Sequence, residues 1–415
     1  MVNNSHHKIN FVFIYVKFIN LYLIKEVGTI SFHFYKNYNF NSKIVCYQND
    51  REYPFLNKYT PGLKVEFLKR KYRTFNQFLN FEIPVIIYLF KNAKKFGILS
   101  LIHLTTSSAI YCVIYKLLNP NGFVYLKTDS LEEIITDNKI RTNNYINYFF
   151  YSKRNVYTIL FNTIRVKIGK FLSKIFVKKL NLMSVESKKF YNIIKNYPKI
   201  KNKVIYSPNG IDDIQVKSFG IKRIPYNQKE NIILSVGRLG TYQKGTEILL
   251  DAIVKIKDMK DWRFFLIGTI ESEFKNKIKS FYDCYPNFRD KVIFTGEISD
   301  RKKLFQFFQK SKIFCFPSRF ESFGIALVEA GYFGNYLVSS NFPPAQDITL
   351  NGTLGKLFNI DDSDELAKIL EELIHNENIL EENYLKIQKH IEDNFLWRKI
   401  VSNLFDEIKK RRENI

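Results

Sequence analysis

The sequence lacks the patterns of a metalloprotein, a disulfide-stapled domain or a membrane-spanning protein. Its 415 residues include 6 His and 4 Cys, with no C-x-x-C pair and no His/Cys cluster at ligand spacing, so we expect no bound metal and no other cofactor. No apolar run reaches the ~20 residues of a spanning helix. The apolar start, Ile9–Ile24, is interrupted by Lys17 and Asn20, and it predicts a buried strand followed by a loop.

Two of the cysteines indicate a compartment. Cys46 and Cys315 lie inside apolar, strand-like runs, which favours buried free thiols and fits a reducing environment. We therefore expect a cytoplasmic protein, either free or resting peripherally on the cytoplasmic face of a membrane.

Acidic residues are scarce in one half of the chain. Residues 1–200 hold 31 Lys and Arg against 10 Asp and Glu, whereas residues 201–415 hold 33 against 30. The basic half favours an anionic partner, such as a membrane surface, a lipid pyrophosphate, an acidic saccharide or a nucleic acid. The sequence contains no recognised nucleic-acid-binding motif and no basic element interleaved with aromatic residues, so we expect no nucleic acid.

The length and the rhythm of the sequence predict two α/β domains. Short apolar runs alternate with helical patterns, and a turn-rich patch at Pro208–Asp212 marks a boundary near residue 205. The predicted strands are Asn10–Val16, Ile44–Tyr47, Lys64–Leu68, Ile98–Ile102, Phe123–Leu126, Ile232–Val236, Phe264–Ile267, Val292–Phe294, Ile313–Phe316 and Tyr336–Ser339. The predicted helices include Pro84–Lys95, Ser107–Leu118, Thr246–Ile256, Arg301–Lys310 and one opened by a capping box at Asp362 and Glu365.

Two strand ends of the second half carry candidate binding residues, because ligands of parallel sheets bind beyond the carboxyl ends of the strands. Gly237, Arg238 and Lys244 follow the strand Ile232–Val236. A glycine there would allow a sharp turn, and the two cations suit a diphosphate. An ordinary surface turn is the alternative for this segment taken alone.

The strand Ile313–Phe316 is followed by a loop and then by a helix. Glu321 is predicted on the loop and Glu329 on the helix, since eight residues of one helix would not place both on one face. The amides at the helix start, from Phe323 to Ile325, suit a phosphate or a sugar hydroxyl, and Glu329 suits a ribose. A capped helix with one exposed glutamate is the alternative.

The combination of these segments resembles the family 4 retaining glycosyltransferases of the GT-B fold. The matching segments, in order, are Pro208–Asp212, Val236–Arg238, Lys244–Gly245, Phe265–Gly268, Phe294–Gly296, Pro317–Ser318 and the Glu-x7-Glu block Glu321–Glu329. The resemblance implies two Rossmann-like domains facing each other across a cleft, at 1–205 and 206–390, with a C-terminal helix, 391–415, returning to the first domain.

The resemblance also implies an activity and its residues. The reaction would be metal-independent transfer of a hexosyl group from a nucleotide-diphosphate sugar to a saccharide or lipid-linked acceptor, with retention of configuration, in cell-surface polysaccharide or lipopolysaccharide synthesis. The implied catalytic residues are His103, Arg238, Lys244 and Glu321. The implied donor-binding residues are Gly237, Arg238, Lys244, Glu321, Ser322, Phe323, Gly324, Ile325 and Glu329.

The first half matches the family loosely, and it would supply the acceptor side. Gly28, in Lys25–Gly28, stands where members carry a glycine loop, although the usual paired glycines are missing. His103 ends a predicted strand where many members place a histidine, and Asp129 follows another. Each of these residues could equally be structural.

A basic, amphipathic stretch over Tyr157–Ile175 predicts a helix with one apolar face. Its basic residues and those just after it are Arg165, Lys167, Lys170, Lys174, Lys178 and Lys179. They would either face water or rest on an anionic membrane. Other interpretations of the whole chain are a sugar-nucleotide epimerase or phosphorylase, a catalytically silent binding protein of the same fold, and a nucleic-acid-binding protein.

Overall fold

The computed structural model describes residues 9–69, 77–128, 135–136, 139–140, 171–172 and 174–413. By their contacts, the residues divide into two compact units, the first comprising Met1–Ser207 with Val401–Ile415 and the second comprising Pro208–Ile400. Each unit is built on a parallel sheet with helices, so the predicted α/β class is confirmed. The domain limits placed after residues 205 and 390 stay predictions.

The first unit contains a seven-stranded sheet in the order β3-β2-β1-β4-β5-β8-β9. The strands are β1 (Asn10–Ile14), β2 (Asn41–Tyr47), β3 (Lys64–Leu68), β4 (Ile98–Ile102), β5 (Phe123–Thr128), β8 (Leu182–Val185) and β9 (Val204–Tyr206), and an antiparallel pair is formed by β6 (Ile135–Thr136) and β7 (Lys139–Ile140). The chain adds strands outward on one side of β1 and then crosses to β4 on the other side. The sheet therefore has a switch point between β1 and β4.

Helices connect these strands. Their bounds are Glu26–Asn37, Pro54–Tyr59, Gln77–Asn92, Thr106–Leu118, 174–179 and Lys188–Lys195, with 3₁₀ turns at Asn20–Ile24 and Ala93–Lys95. The helix Thr106–Leu118 begins where the Thr105 hydroxyl accepts a hydrogen bond from the Ser108 amide, at 3.1 Å. The helix predicted to begin at Pro84 begins seven residues earlier, at Gln77, with Pro84 inside it. A proline is common at a helix start, and that preference gave the wrong boundary here.

The second unit contains a six-stranded sheet in the order β12-β11-β10-β13-β14-β15. The strands are β10 (Glu230–Val236), β11 (Arg263–Ile267), β12 (Val292–Gly296), β13 (Ser311–Phe316), β14 (Tyr336–Ser340) and β15 (Gly355–Phe358). The chain runs outward from β10 to β12 and then crosses to β13 on the other side of β10. The switch point of this sheet therefore lies between β10 and β13.

Helices also connect the strands of the second unit. Their bounds are Asp213–Ser218, Thr246–Ile253, Phe274–Cys284, Arg301–Lys310, Ile325–Tyr332, Pro343–Ile348, Ser363–His375 and Asn378–Asn394, followed by Trp397–Glu413, which the division into units splits at Val401. One half of the predicted capping box is present, since Asp362 accepts a hydrogen bond from the Glu365 amide at 2.8 Å. The Glu365 carboxylate instead accepts from the Asn359 amide.

The strands at each switch point are mainly apolar because both faces of the sheets are covered. All residues of β4 and of β13 are buried. Cys46 and Cys315 lie buried and unbridged in β2 and β13, as predicted, and burial raises the pKa of the Cys46 thiol to about 12. Such thiols pack as small hydrophobic groups rather than as nucleophiles.

Every predicted strand exists, with ends shifted by up to three residues. The short strands β8, β9 and β15 and the helix Glu26–Asn37 were not predicted. Most of the predicted helix Tyr157–Ile175 lies outside the described residues. Within the part of the chain that the structure describes, no helix combines the length and the apolar character needed to cross a bilayer.

Candidate functional site

The switch point of the second sheet brings two distant loops together. Strands β10 and β13 are parallel neighbours, with Ile233 opposite Ile313 and Leu234 opposite Phe314. Their carboxyl ends therefore meet at one edge of the sheet. The loop after β10 leads to Gly245, and the loop after β13 leads to Gly324, so the candidate residues of both segments share this edge.

Backbone contacts hold the two loops together. The Arg319 amide donates to the Gln243 carbonyl at 2.8 Å, and the Gln243 side chain donates to the Phe320 carbonyl at 3.1 Å. Gly245 has φ 56°, and a Cβ on it would lie 2.3 Å from the carbonyl oxygen of Pro317. Glycine is therefore required at 245 for both its backbone conformation and its closeness to the second loop.

Lys244 and Glu321 form an ion pair across the two loops, 77 positions apart in the sequence. The Lys244 Nζ lies 2.5 Å from Glu321 Oε1, and 18% and 11% of the two side chains are exposed. The Lys244 ammonium also lies 4.9 Å from the centroid of the Phe316 ring. A partly buried cation attracts an anion more strongly than it would in water, because the local dielectric constant is lower. The structure thus brings together two of the predicted catalytic residues.

Gly237 is needed for a reason that the sequence did not predict. It is absent from the residues with positive φ, so the sharp turn expected there is not what requires a glycine. A Cβ at 237 would lie 3.2 Å from Cδ of Lys244, and the Gly237 carbonyl oxygen would lie only 1.7 Å from a Cβ on Gly268. Gly237 therefore leaves room for the Lys244 stem, and a side chain at 268 would collide with its carbonyl.

Arg238 lies on the same loop, with its side chain exposed. Its Nη2 donates to the Oε1 of Gln243 at 3.2 Å, and the Gln243 amide group in turn donates to the Phe320 carbonyl. The guanidinium is thus attached to the joined loops while remaining open to solvent. Arg238 offers positive charge to an incoming anion without leaving a buried charge unpaired.

The helix Ile325–Tyr332 begins at this edge. Gly324 precedes it with φ 91° and ψ 55°, a left-handed conformation that favours glycine. Ser322 is exposed, whereas the Phe323 ring is buried and packs 6.1 Å from the Phe395 ring. The Phe323 side chain thus anchors the loop, and only its backbone is available to a ligand. Glu321 lies on the loop and Glu329 on the helix, as predicted.

Glu329 has an ion-pair partner that the sequence reasoning missed. The Nη2 of Arg301 lies 2.6 Å from Glu329 Oε1, with 18% and 7% of the two side chains exposed. Arg301 is the first residue of the helix that follows β12. A cation in a first turn opposes the helix dipole, but the exposed Lys302 and Lys303 share that turn, so the sequence contained no specific signal for this pair.

His103 lies at the switch point of the first sheet, directly after β4. Its φ is 59°, which is uncommon for a residue with a side chain and is often found at functional sites. The Ser108 hydroxyl donates to its carbonyl at 2.8 Å, and its ring centroid lies 6.4 Å from that of Tyr15, just after β1. His103 is thus held at the edge where the first unit would bind a ligand.

The other two acceptor-side candidates are Gly28 and Asp129. Gly28 lies within the first turn of the helix Glu26–Asn37, and it is not in a loop. A Cβ at this position would lie 2.3 Å from the carbonyl oxygen of Leu23, so the glycine allows the preceding 3₁₀ turn to pack on the helix. Asp129 lies outside the described residues. Among the residues that are described, no group of three or more His, Cys, Asp or Glu side chains could hold a metal ion.

The candidate site lies within a stretch that matches a known family. Residues 217–390 match the family of glycosyl transferases group 1. The matched stretch contains β10 to β15 and therefore Arg238, Lys244, Arg301, Glu321 and Glu329.

Curated relatives match about half of the chain. An "uncharacterized 41.2 kDa protein in cps region" of Klebsiella pneumoniae is 32% identical over 42% of this chain and 46% of its own length. The "GalNAc-alpha-(1->4)-GalNAc-alpha-(1->3)-diNAcBac-PP-undecaprenol alpha-1,4-N-acetyl-D-galactosaminyltransferase" of Campylobacter jejuni is 28% identical over 53% of this chain and 57% of its own. The chain thus spans about half the length of these relatives.

Solved structures match almost the whole chain. HepE of Anabaena in complex with UDP and glucose has a TM-score of 0.67 at 14% identity, covering 97% of this chain and 100% of its own. The lipopolysaccharide outer core galactosyltransferase WaaB in its apo form has a TM-score of 0.63 at 16% identity. The match covers 96% of this chain and 100% of the WaaB chain. At such identities the likeness shows the fold, and the predicted GT-B fold class is confirmed.

Proposed function

We propose that the chain is a glycosyltransferase that moves a hexosyl group from a nucleotide-diphosphate sugar to a saccharide or lipid-linked acceptor, with retention of anomeric configuration. The observation that carries the proposal is the Lys244–Glu321 pair at the switch point of the second sheet. A cation and a carboxylate at one sheet edge, beside a helix start, provide groups for a diphosphate and for sugar hydroxyls together.

The positive groups of this edge would bind the donor diphosphate. Lys244 would turn from Glu321 to the phosphates, and exposed Arg238 would clasp them with its fork of donors. The amides from Phe323 to Ile325 would add the positive end of the helix. Because these charges lie where negative charge develops on the leaving diphosphate, they would stabilise the transition state without a metal ion.

The carboxylates would hold the sugar portions of the donor. Glu321, released from Lys244, would accept hydrogen bonds from hydroxyls of the transferred sugar, with the backbone at Ser322 and Gly324 beside it. Glu329 would accept from the ribose hydroxyls, since an ionised carboxylate is an acceptor with two oxygens. His103 remains our predicted polar contact for the transferred sugar, and Gly28 and Asp129 remain predictions for the acceptor side.

The names of the relatives support the substrate classes. HepE is described in complex with UDP and with UDP-glucose, which supports a nucleotide-sugar donor here. The Campylobacter protein is named for a saccharide on PP-undecaprenol, and WaaB for the lipopolysaccharide outer core. These names favour a cell-surface polysaccharide or lipopolysaccharide as the product.

A lipid-linked acceptor would suit the basic half of the chain, resting on the cytoplasmic face of a membrane. Lys174, Lys178 and Lys179 lie in or at the end of a helix at 174–179, while Arg165, Lys167 and Lys170 lie outside the described residues. Each basic residue near an anionic bilayer contributes roughly 1 kcal/mol. We expect the protein to float with anionic vesicles in a salt-sensitive manner, and flotation equal to that with neutral vesicles would remove this part of the proposal.

A thermal-shift screen against UDP-, GDP- and ADP-sugars tests the central proposal. We expect one donor to raise the melting temperature, and the stabilised protein to release the matching nucleoside diphosphate when an acceptor is present. A silent binding protein of the same fold would show the shift without release. No shift with any nucleotide sugar, together with salt-dependent retardation of nucleic acid in a gel, would replace the proposal by the nucleic-acid-binding alternative.

A further inference from the structure

Arg301 pairs with a candidate donor-binding residue, Glu329. Its guanidinium touches Glu329 at 2.6 Å and lies 4.4 Å from the centroid of the Phe305 ring. Its Nε is buried and makes no hydrogen bond. By contrast, Arg319, on the loop that carries Glu321, is bound by Glu247, Asp361 and the Tyr242 carbonyl. Arg301 thus directs its bonding capacity to Glu329.

The pairing solves a physical problem for Glu329. With 7% of its side chain exposed, a carboxylate without a charged partner there would be strongly unfavourable. The guanidinium of Arg301 supplies the missing charge. It also fixes the direction of the carboxylate, because Phe305 fixes the plane of the guanidinium. A carboxylate held in this way is preorganised to accept hydrogen bonds from a diol.

Resting on the proposed function, we propose that Arg301 is a positioning residue that gives the donor site its preference for ribose. In its absence Glu329 would lose the contact that fixes its direction, and the ribose hydroxyls would lose a well-placed acceptor. Arg238 and Lys244, the residues proposed to bind the diphosphate, would be unaffected. Removing Arg301 should therefore weaken recognition of the ribose selectively, rather than binding as a whole.

The test compares nucleoside diphosphates with their 2′-deoxy counterparts. The probes are UDP, GDP and ADP, each paired with the 2′-deoxy form, and binding is measured by titration calorimetry. For one of the three nucleoside diphosphates, we expect the wild type to bind the ribose form about tenfold more tightly than the 2′-deoxy form. A hydrogen bond to a charged group contributes about this much. Arg301→Ala and Glu329→Gln should each reduce that preference to within about twofold, and Arg301→Lys should restore part of it.

Arg223 provides a matched control in the same unit. It pairs with Glu392 at 2.7 Å and stacks on the ring of Tyr332, the last residue of the helix that bears Glu329. Arg223→Ala therefore removes an equivalent ion pair and a ring contact at the last residue of that helix, three residues after Glu329. We expect it to lower the melting temperature while leaving the preference for ribose unchanged.

The outcomes separate the two proposals. If the wild type binds a ribonucleoside diphosphate with the expected preference and Arg301→Ala keeps it, the inference about Arg301 is wrong and the proposed function stands. The same holds if Glu329→Gln keeps the preference, or if Arg223→Ala loses it equally. If the wild type binds none of the three nucleoside diphosphates, the proposed function falls and the role of Arg301 falls with it.

Discussion

The backbone of Gly245 passes so close to Pro317 that a single added carbon at 245 would lie 2.3 Å from the carbonyl oxygen of Pro317. This contact joins the loop that bears Lys244 to the loop that bears Glu321. The ion pair between those two side chains therefore depends on a glycine that itself bears no charge.

Gly245→Ala should separate the two loops. The variant must relieve both the contact with Pro317 and the left-handed backbone, φ 56°, so we expect destabilisation of more than about 1 kcal/mol and a marked loss of donor binding. Urea unfolding and the thermal shift with the best nucleotide sugar measure the two effects.

The control for this change is Gly220→Ala. Gly220 also has a positive φ, 71°, but nothing lies within 4 Å of a Cβ built on it. Its alanine variant carries the backbone strain without the collision, so it should lose stability and keep donor binding. Equal donor binding by both variants would contradict the importance of the Gly245–Pro317 contact.

Lys244→Ala and Arg238→Ala should each abolish transfer while the protein stays folded. Both cations are proposed to neutralise the leaving diphosphate, and loss of one such electrostatic group typically lowers kcat by about 10²–10³. Turnover with the identified donor and the far-ultraviolet circular dichroism spectrum check the two statements. Near-wild-type turnover by either variant would remove that residue from the proposed donor site.

Glu321→Gln should separate binding from transfer. The amide keeps the shape of the side chain but no longer neutralises Lys244, so Lys244 is freer to meet the diphosphate. We expect nucleoside diphosphate affinity to be unchanged or higher, and transfer to fall by at least about tenfold. Calorimetry and turnover measure the two quantities. A parallel fall of affinity and turnover would indicate that Glu321 serves chiefly to hold the loops.

The sequence predicted most strands of the fold because covered parallel strands are apolar over most of their length. The strand ending at Phe316 was recognised on this ground, and its burial confirms the reason. The strand Leu182–Val185 was missed because it follows a basic stretch and has only four residues, which are too few for a recognisable hydrophobic pattern. Gly355–Phe358 was missed because it starts with a glycine and includes a lysine.

The sequence predicted residues of the candidate site, but it did not predict the contacts between them. The strand-end rule and the family resemblance placed Lys244 and Glu321 in one region, yet spacing in the chain does not say that they touch. Arg301 was missed because its partner comes from a different helix. Gly28 was misplaced because the 3₁₀ turn that ends at Ile24 has no clear signature in the sequence.

A lysine far from the site provides a test of the fold itself. Lys229 is buried and donates to the Ser311 carbonyl at 2.7 Å, and burial lowers its pKa from 10.5 to about 7. Between these two values the unfolded chain binds a proton that the folded chain has released. The free energy of unfolding should therefore rise with pH across this window, by at most about 1.4 kcal/mol per pH unit.

Lys229→Met isolates this contribution. The variant loses the hydrogen bond to Ser311, a cost that does not depend on pH, and it also loses the titrating amine. Urea unfolding at about pH 7.5 and about pH 9.5 should show the wild type gaining stability relative to Lys229→Met at the higher pH. The exposed Lys302→Met serves as the control for the change of side chain and should show no such gain. Equal pH dependence of wild type and Lys229→Met would mean that the buried amine keeps its ordinary proton affinity, most simply because water reaches it.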